Sequence, residues 1–174
     1  MESFRHKDIK NDFFWCLSQN DQYIELEKVI GSKRTDAFTE INGHALAIEI
    51  QCTPTNISTI VSRMQQYTAA GVYTLWLIAE NILQDKDLTR NLKWVSFLQT
   101  IQNGVIFLPT NGSKIIPARI DNSLKFHNGG MVSGNKVLDQ QEPIELNELS
   151  FIQNNGLNIT TIDAWWLESY MDLF

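Results

Sequence analysis

Asp36, Glu49 and Gln51 are the residues whose types and spacing suit chemistry in this chain. They flank Asn42-Gly43, the pair preferred in a two-residue type I′ hairpin turn. With that turn, Ile41 faces His44. Counting outward sets Asp36 against Glu49 and Arg34 against Gln51. Opposed residues of an antiparallel pair project from one side, and side chains alternate along each strand. Arg34, Asp36, Glu49 and Gln51 therefore share a face. The opposite face carries Ala37, Thr39, Ile41, Leu46, Ile48 and Ile50 and reads as core. Two carboxylates opposed across a ladder repel each other. A divalent cation with oxygen ligands relieves that repulsion. So does Arg34 acting as counter-ion, or a shared proton that raises one carboxyl pKa. Bound Mg²⁺ or Mn²⁺ would also activate water and stabilise charge on a phosphate. The Gln51 amide would then orient the water or the phosphate, but an amide is no base. The competing reading is a solvated hairpin face with ordinary acidic residues, and hairpin geometry alone does not choose between the two.

The elements around this hairpin follow from periodicity. Phe4, Ile9, Phe13, Phe14 and Leu17 fall on one side of a helix over 2–18. Residues 22–30 read as a strand, and Gly31-Ser32-Lys33 as a turn. Strands over Arg34–Ile41 and His44–Cys52 form the hairpin, and Pro54 stops the second. Thr53 or Thr55 caps a helix that runs to about Ala70 and ends at Gly71. Val72–Ala79 is apolar enough for a buried central strand. A helix over 91–102 and short strands over Val105–Leu108 and Lys114–Ile120 follow, the latter two around Asn111-Gly112. Between Asp121 and Thr160 only loops and short elements can be placed. A closing helix from Asp163 to Phe174 carries Trp165-Trp166, which reads either as core and rim or as a partner surface. Helix, strands, helix, strand is the order of an α/β fold with a mixed sheet flanked by helices.

The stretch from Arg34-Thr35-Asp36 through Glu49-Ile50-Gln51, Arg63 and Tyr67 to the Trp76 strand resembles the nuclease-like core of the CoiA competence protein family. Glu2, His6 and Lys10, spaced four apart on the first helix, and Glu27 on the next strand are similar to the family as well. The resemblance covers roughly residues 2–80. It implies the restriction-endonuclease-like fold of the PD-(D/E)xK superfamily, with Asp36 and Glu49 as ligands of Mg²⁺ or Mn²⁺. Gln51 would stand where many relatives have a catalytic Lys. The implied activity is phosphodiester hydrolysis on DNA, in a competence, recombination, mobile-element or defence setting. A module that keeps the fold without catalysis, binding DNA or protein, is the alternative. Arg63 and Tyr67, one helical turn apart, would contact phosphate or brace Glu49. Arg34 is a phosphate contact or a counter-ion, Lys10 a further offset to phosphate charge, and His6 a site residue or an ordinary helical histidine.

Composition bounds these readings. The 174 residues suit one domain, with residues 81–174 completing it or carrying a protein or dimer contact. The net charge of -6 argues against a protein that coats nucleic acid non-specifically, although acidic metal ligands contribute to it. The charged start Met1–Lys10 has no signal-peptide core, and no apolar run spans a membrane, so a cytoplasmic protein is expected. Cys16 and Cys52 lack metal-ligand spacing and read as reduced, buried thiols.

Overall fold

The structure is a computed structural model that describes residues 2–120, 124–127, 130–133 and 137–163. Ser3 opens helix α1 (Phe4–Gln19), its hydroxyl accepting from the His6 amide at 3.1 Å. The expected strand over 22–30 is two short ones, β1 (Ile24–Leu26) and β2 (Val29–Ile30). Glu27 breaks them apart with a left-handed backbone at φ 58°. The expected strand from Arg34 is also divided, into β3 (Lys33–Arg34) and β4 (Ala37–Ile41). Thr35 causes this second break. Its amide donates to the Lys28 carbonyl at 2.9 Å, and its hydroxyl to the Ala37 carbonyl at 3.0 Å. Arg34 thus pairs with Val29 on β2 and not with Gln51, which corrects the outer end of the expected register.

Within the hairpin the register is as expected. Ala37 pairs with Ile48 and Ile41 with His44 between β4 and β5 (His44–Gln51). Asn42 and Gly43 take φ of 53° and 79°, the left-handed values of a type I′ turn. A Cβ on Gly43 would meet nothing within 4 Å, so a side chain there costs only backbone strain. Gly43→Ala is expected to lower unfolding free energy by about 1–2 kcal/mol in urea titration. An unchanged midpoint would show that the turn tolerates another geometry.

Asn56, rather than Thr53 or Thr55, caps α2 (Ile57–Ala69), its side chain accepting from Thr59 N at 2.9 Å. Strand β6 (Tyr73–Ile78) follows. Helix α3 (Asp85–Ile101) starts earlier than its expected bound of 91, because the apolar stripe already begins at the fully buried Leu88. Next come β7 (Ile106–Pro109) and β8 (Ile115–Ile120). The stretch where sequence places only loops and short elements contains strands β9 (Leu124–His127), β10 (Gly130–Ser133), β11 (Val137–Gln140), β12 (Ser150–Asn154) and β13 (Leu157–Thr161). The closing helix with Trp165-Trp166 lies, from residue 164, outside the described residues.

The main sheet has nine strands in the order β1-β4-β5-β6-β7-β8-β11, with β13 beside β6 and β12 beside β13. It is mixed: β5, β6 and β7 run parallel through the α2 and α3 crossovers, while the β4 and β8 sides are antiparallel. This is an α/β fold of the restriction-endonuclease-like kind, a mixed sheet flanked by helices. On one face Ile9, Phe13 and Leu17 of α1 pack on Leu46, Ile48 and Ile50. Burial of each such side chain stabilises by about 1.5–3 kcal/mol. On the other face α2 and α3 cover Trp76, Ile78 and Ile106, and Tyr67 of α2 covers Phe38 and Ala47. Strand β5 is therefore buried on both faces. Cys52 is buried, Cys16 is only half-buried, and both are free thiols. Among the described residues no helix is long and apolar enough to cross a membrane.

Candidate functional site

A cleft of about 590 Å³ opens where β5 ends, away from the hairpin turn. Crevices beyond the carboxyl ends of parallel strands are the usual ligand sites of α/β sheets. Asp36, Glu49, Gln51, Arg34, Arg63 and His6 all line it, so most residues singled out by sequence converge here. Lys10 and Tyr67 stand behind the wall. Ser3, Thr55 and Thr59 also face the cleft, and sequence reasoning assigned them no part in it. Only Thr59 left a readable trace, being one helical turn before Arg63.

Alternation along β5 turns Glu49 toward α2, where only 4% of it is exposed. The solvated-face reading therefore fails for this carboxylate. Its Oε1 accepts from the Tyr67 hydroxyl and from Arg63 Nη1 at 3.1 Å, and Oε2 holds no partner among the described residues. Burial, and then the nearby Asp36 charge, push its pKa from 4.5 to about 7, with Arg63 and Tyr67 only partly offsetting them. Burial likewise raises the Tyr67 phenol well above its ordinary value, helped by Glu49, so it stays a donor.

Asp36 sits at the bend just beyond the β4 ladder. Its Oδ2 accepts from the Ile50 amide at 2.8 Å, and its Oδ1 lies 3.1 Å from His6 Nε2. That hydrogen bond to Asp36 is the main cause holding the His6 pKa up. The other ring nitrogen of His6 meets Glu2 Oε1, which also accepts from Lys10 Nζ at 2.6 Å. Lys10, 6% exposed, donates in turn to Glu27 Oε1 at 2.5 Å. Burial opposes its charge, but Glu2 and Glu27 more than compensate and raise its pKa. Glu27 Oε2 lies 3.2 Å from Arg34 Nε, and the Arg34 carbonyl accepts from Arg63 Nη1 at 2.9 Å. The contacts close a ring: Asp36, His6, Glu2, Lys10, Glu27, Arg34, Arg63, Glu49, and back through the Ile50 amide. Arg34 is thus not the counter-ion of the two carboxylates. Arg63 serves Glu49 and His6 serves Asp36.

Gln51 stands at the strand end, its amide donating to the Thr53 carbonyl at 2.5 Å. Cys52 also lines the cleft, but burial pushes its thiol up to about 11, so it is no thiolate nucleophile at neutral pH. Asp36 and Glu49 fit a hard divalent cation by donor type and by facing one cleft. Among the described residues no group of three His, Cys, Asp or Glu completes a cage around them. Mg²⁺ is typically held by one or two carboxylates, with water and phosphate oxygens filling the remaining positions.

Over residues 2–154 the chain matches the family described as Competence protein CoiA, nuclease-like domain. It belongs to that family. No curated protein and no solved structure matches it. The CoiA nuclease-like match extends well past the roughly 80 residues that carry the resemblance in sequence. It takes in β7 to β12, strands of the half that sequence left unassigned.

Proposed function

We propose that the protein is a metal-dependent nuclease that hydrolyses phosphodiester bonds in DNA. The observation that carries the reading is the placement of Asp36, at the bend before β4, and the buried Glu49 of β5 in one open cleft, close enough for one charge to raise the other's pKa. Mg²⁺ or Mn²⁺ held between them would supply an activated water and charge stabilisation at the phosphate. The chain's own residues do the rest. Tyr67 and Arg63 fix Glu49, the Ile50 amide fixes Asp36, and Gln51 orients water or phosphate without taking a proton. Lys10, locked between Glu2 and Glu27, supports the wall of the cleft. The setting would be DNA processing in competence, recombination, mobile elements or defence, in the cytoplasm, with residues 81–174 available to a second copy or a protein partner.

The test is cleavage of end-labelled single- and double-stranded DNA with Mn²⁺, with Mg²⁺ and with EDTA. Products in Mn²⁺ that vanish in EDTA are expected. No cleavage of DNA, combined with no rise in thermal midpoint on adding Mn²⁺, would sink the proposal. That outcome favours a non-catalytic nuclease-fold module binding DNA or protein. Two points speak for this second reading: by the resemblance Gln51 would stand where many relatives have a lysine, and no lysine lines the cleft among the described residues.

A further inference from the structure

Arg63 makes its contacts through one nitrogen. Nη1 donates to the Arg34 carbonyl at 2.9 Å, to Glu49 Oε1 at 3.1 Å and to the Tyr67 hydroxyl at 3.2 Å. Two hydrogens shared among three acceptors fix this end of the guanidinium. Nε and Nη2 hold no partner among the described residues, while the side chain is 31% exposed and lines the cleft. These two atoms form the side-on edge of the group, the fork that takes two oxygens of a phosphate in parallel. A counter-ion alone would need no such orientation, and a lysine would serve.

We propose that Arg63 is an oxyanion receptor: Nη1 ties it to Glu49 while its Nε–Nη2 edge seats a phosphate group. One rigid guanidinium then sets the distance between the phosphate and the carboxylate on which the nuclease reading rests. Thr59, one turn earlier on α2 and exposed at the same cleft, supplies a neutral donor beside the fork. The other cations of the ring are less suited. Both His6 nitrogens are engaged, and Lys10 is buried between carboxylates. The Arg34 side chain is 67% exposed and, among the described residues, held only at Nε, so water screens what it meets. The inference rests on the nuclease reading for the polymer that carries the phosphate, and not for the phosphate itself.

The test measures binding of a fluorescein-labelled DNA duplex by anisotropy, in EDTA at low salt, for the wild-type protein, Arg63→Lys and Arg63→Met. Both variants are expected to bind about tenfold more weakly, the loss of one charge-assisted fork. Thermal midpoint and Mn²⁺ affinity are measured on the same proteins, and Arg63→Lys, which keeps a positive charge beside Glu49, is expected to lose less in either than the tenfold it loses in DNA binding. Full binding by Arg63→Lys would show that charge alone matters, and would overturn the proposal. So would the absence of measurable binding by the wild type. A parallel fall in Mn²⁺ affinity or thermal midpoint would trace the loss to a displaced Glu49 and overturn it as well. Wild-type protein that binds duplex through Arg63 yet never cleaves it leaves the fork standing and removes the nuclease reading. Mn²⁺-dependent cleavage together with full binding by Arg63→Lys does the reverse.

Discussion

At pH 8 without divalent cation, Glu49→Gln is expected to melt above the wild-type protein and yet to lose Mn²⁺-dependent cleavage to background. The stability half follows from linkage. Glu49 titrates near 7 in the folded chain, against an ordinary 4.5. Between those values the native state holds a proton that the unfolded chain has released, so stability falls as pH rises through the window. Above pH 7 the full cost applies, about 3 kcal/mol for a carboxylate this deeply buried. Glutamine keeps an oxygen for Tyr67 and Arg63 and carries no charge to desolvate. His6 adds to the same trend. Its pKa is raised, chiefly by Asp36, so its contribution is complete below about 6.5 and fades as pH climbs through the raised value. Thermal melts in EDTA from pH 5 to 8 should show the two proteins close at the acid end and diverging upward. A gap that is constant with pH would mean that Glu49 titrates normally. Mn²⁺ should in turn stabilise the wild type more at pH 8 than at pH 5.5, because the cation competes with the proton for Glu49.

Asp36→Ala is expected to remove Mn²⁺ binding and to destabilise the fold by about 1–3 kcal/mol, the cost of leaving a buried amide without its acceptor. The amide is that of Ile50, which is 4% exposed. Alanine is thus not the neutral probe that a solvated strand carboxylate would allow. Asp36→Asn, which keeps an oxygen for Ile50, is expected to hold most of the stability while still losing the cation. Calorimetric Mn²⁺ titration with urea unfolding on both variants separates the two effects. The His6 resonance adds a third readout, since its pKa should drop once the Asp36 hydrogen bond is gone. Unchanged Mn²⁺ affinity in both variants would remove Asp36 from the metal site.

Local rules carried the reading a long way. Asn42-Gly43 demands left-handed backbone at consecutive positions, and that alone set the pairing that brings Asp36 and Glu49 to one end of the hairpin. The same signal at Asn155-Gly156, with φ of 50° and 75°, joins β12 to β13. The strand after it reads as polar, so hydrophobic pattern gives that turn no partner. Asn158, Thr160 and Thr161 are buried, and their partners lie far away in sequence. Asn158 N donates to Thr68 Oγ1, Thr160 Oγ1 to the Thr74 carbonyl, and Thr161 Oγ1 to the Gln102 carbonyl. Polar residues make a buried strand only when such acceptors arrive, and pattern cannot announce them.

The site divides in the same way. Residue type, turn chemistry and alternation determined that two carboxylates and an amide would gather at the open end of one hairpin. Which cation answers which carboxylate was a tertiary decision. Arg34, the nearest candidate along the chain, is carried off by the Thr35 bend to Glu27. The charges facing Glu49 and Asp36 come instead from α2 and α1, on opposite faces of the sheet. Burial of Glu49 belongs there too. A strand's period says which side a residue faces, but only the helix packed on that side decides whether it meets water or protein, and so where its proton sits at neutral pH.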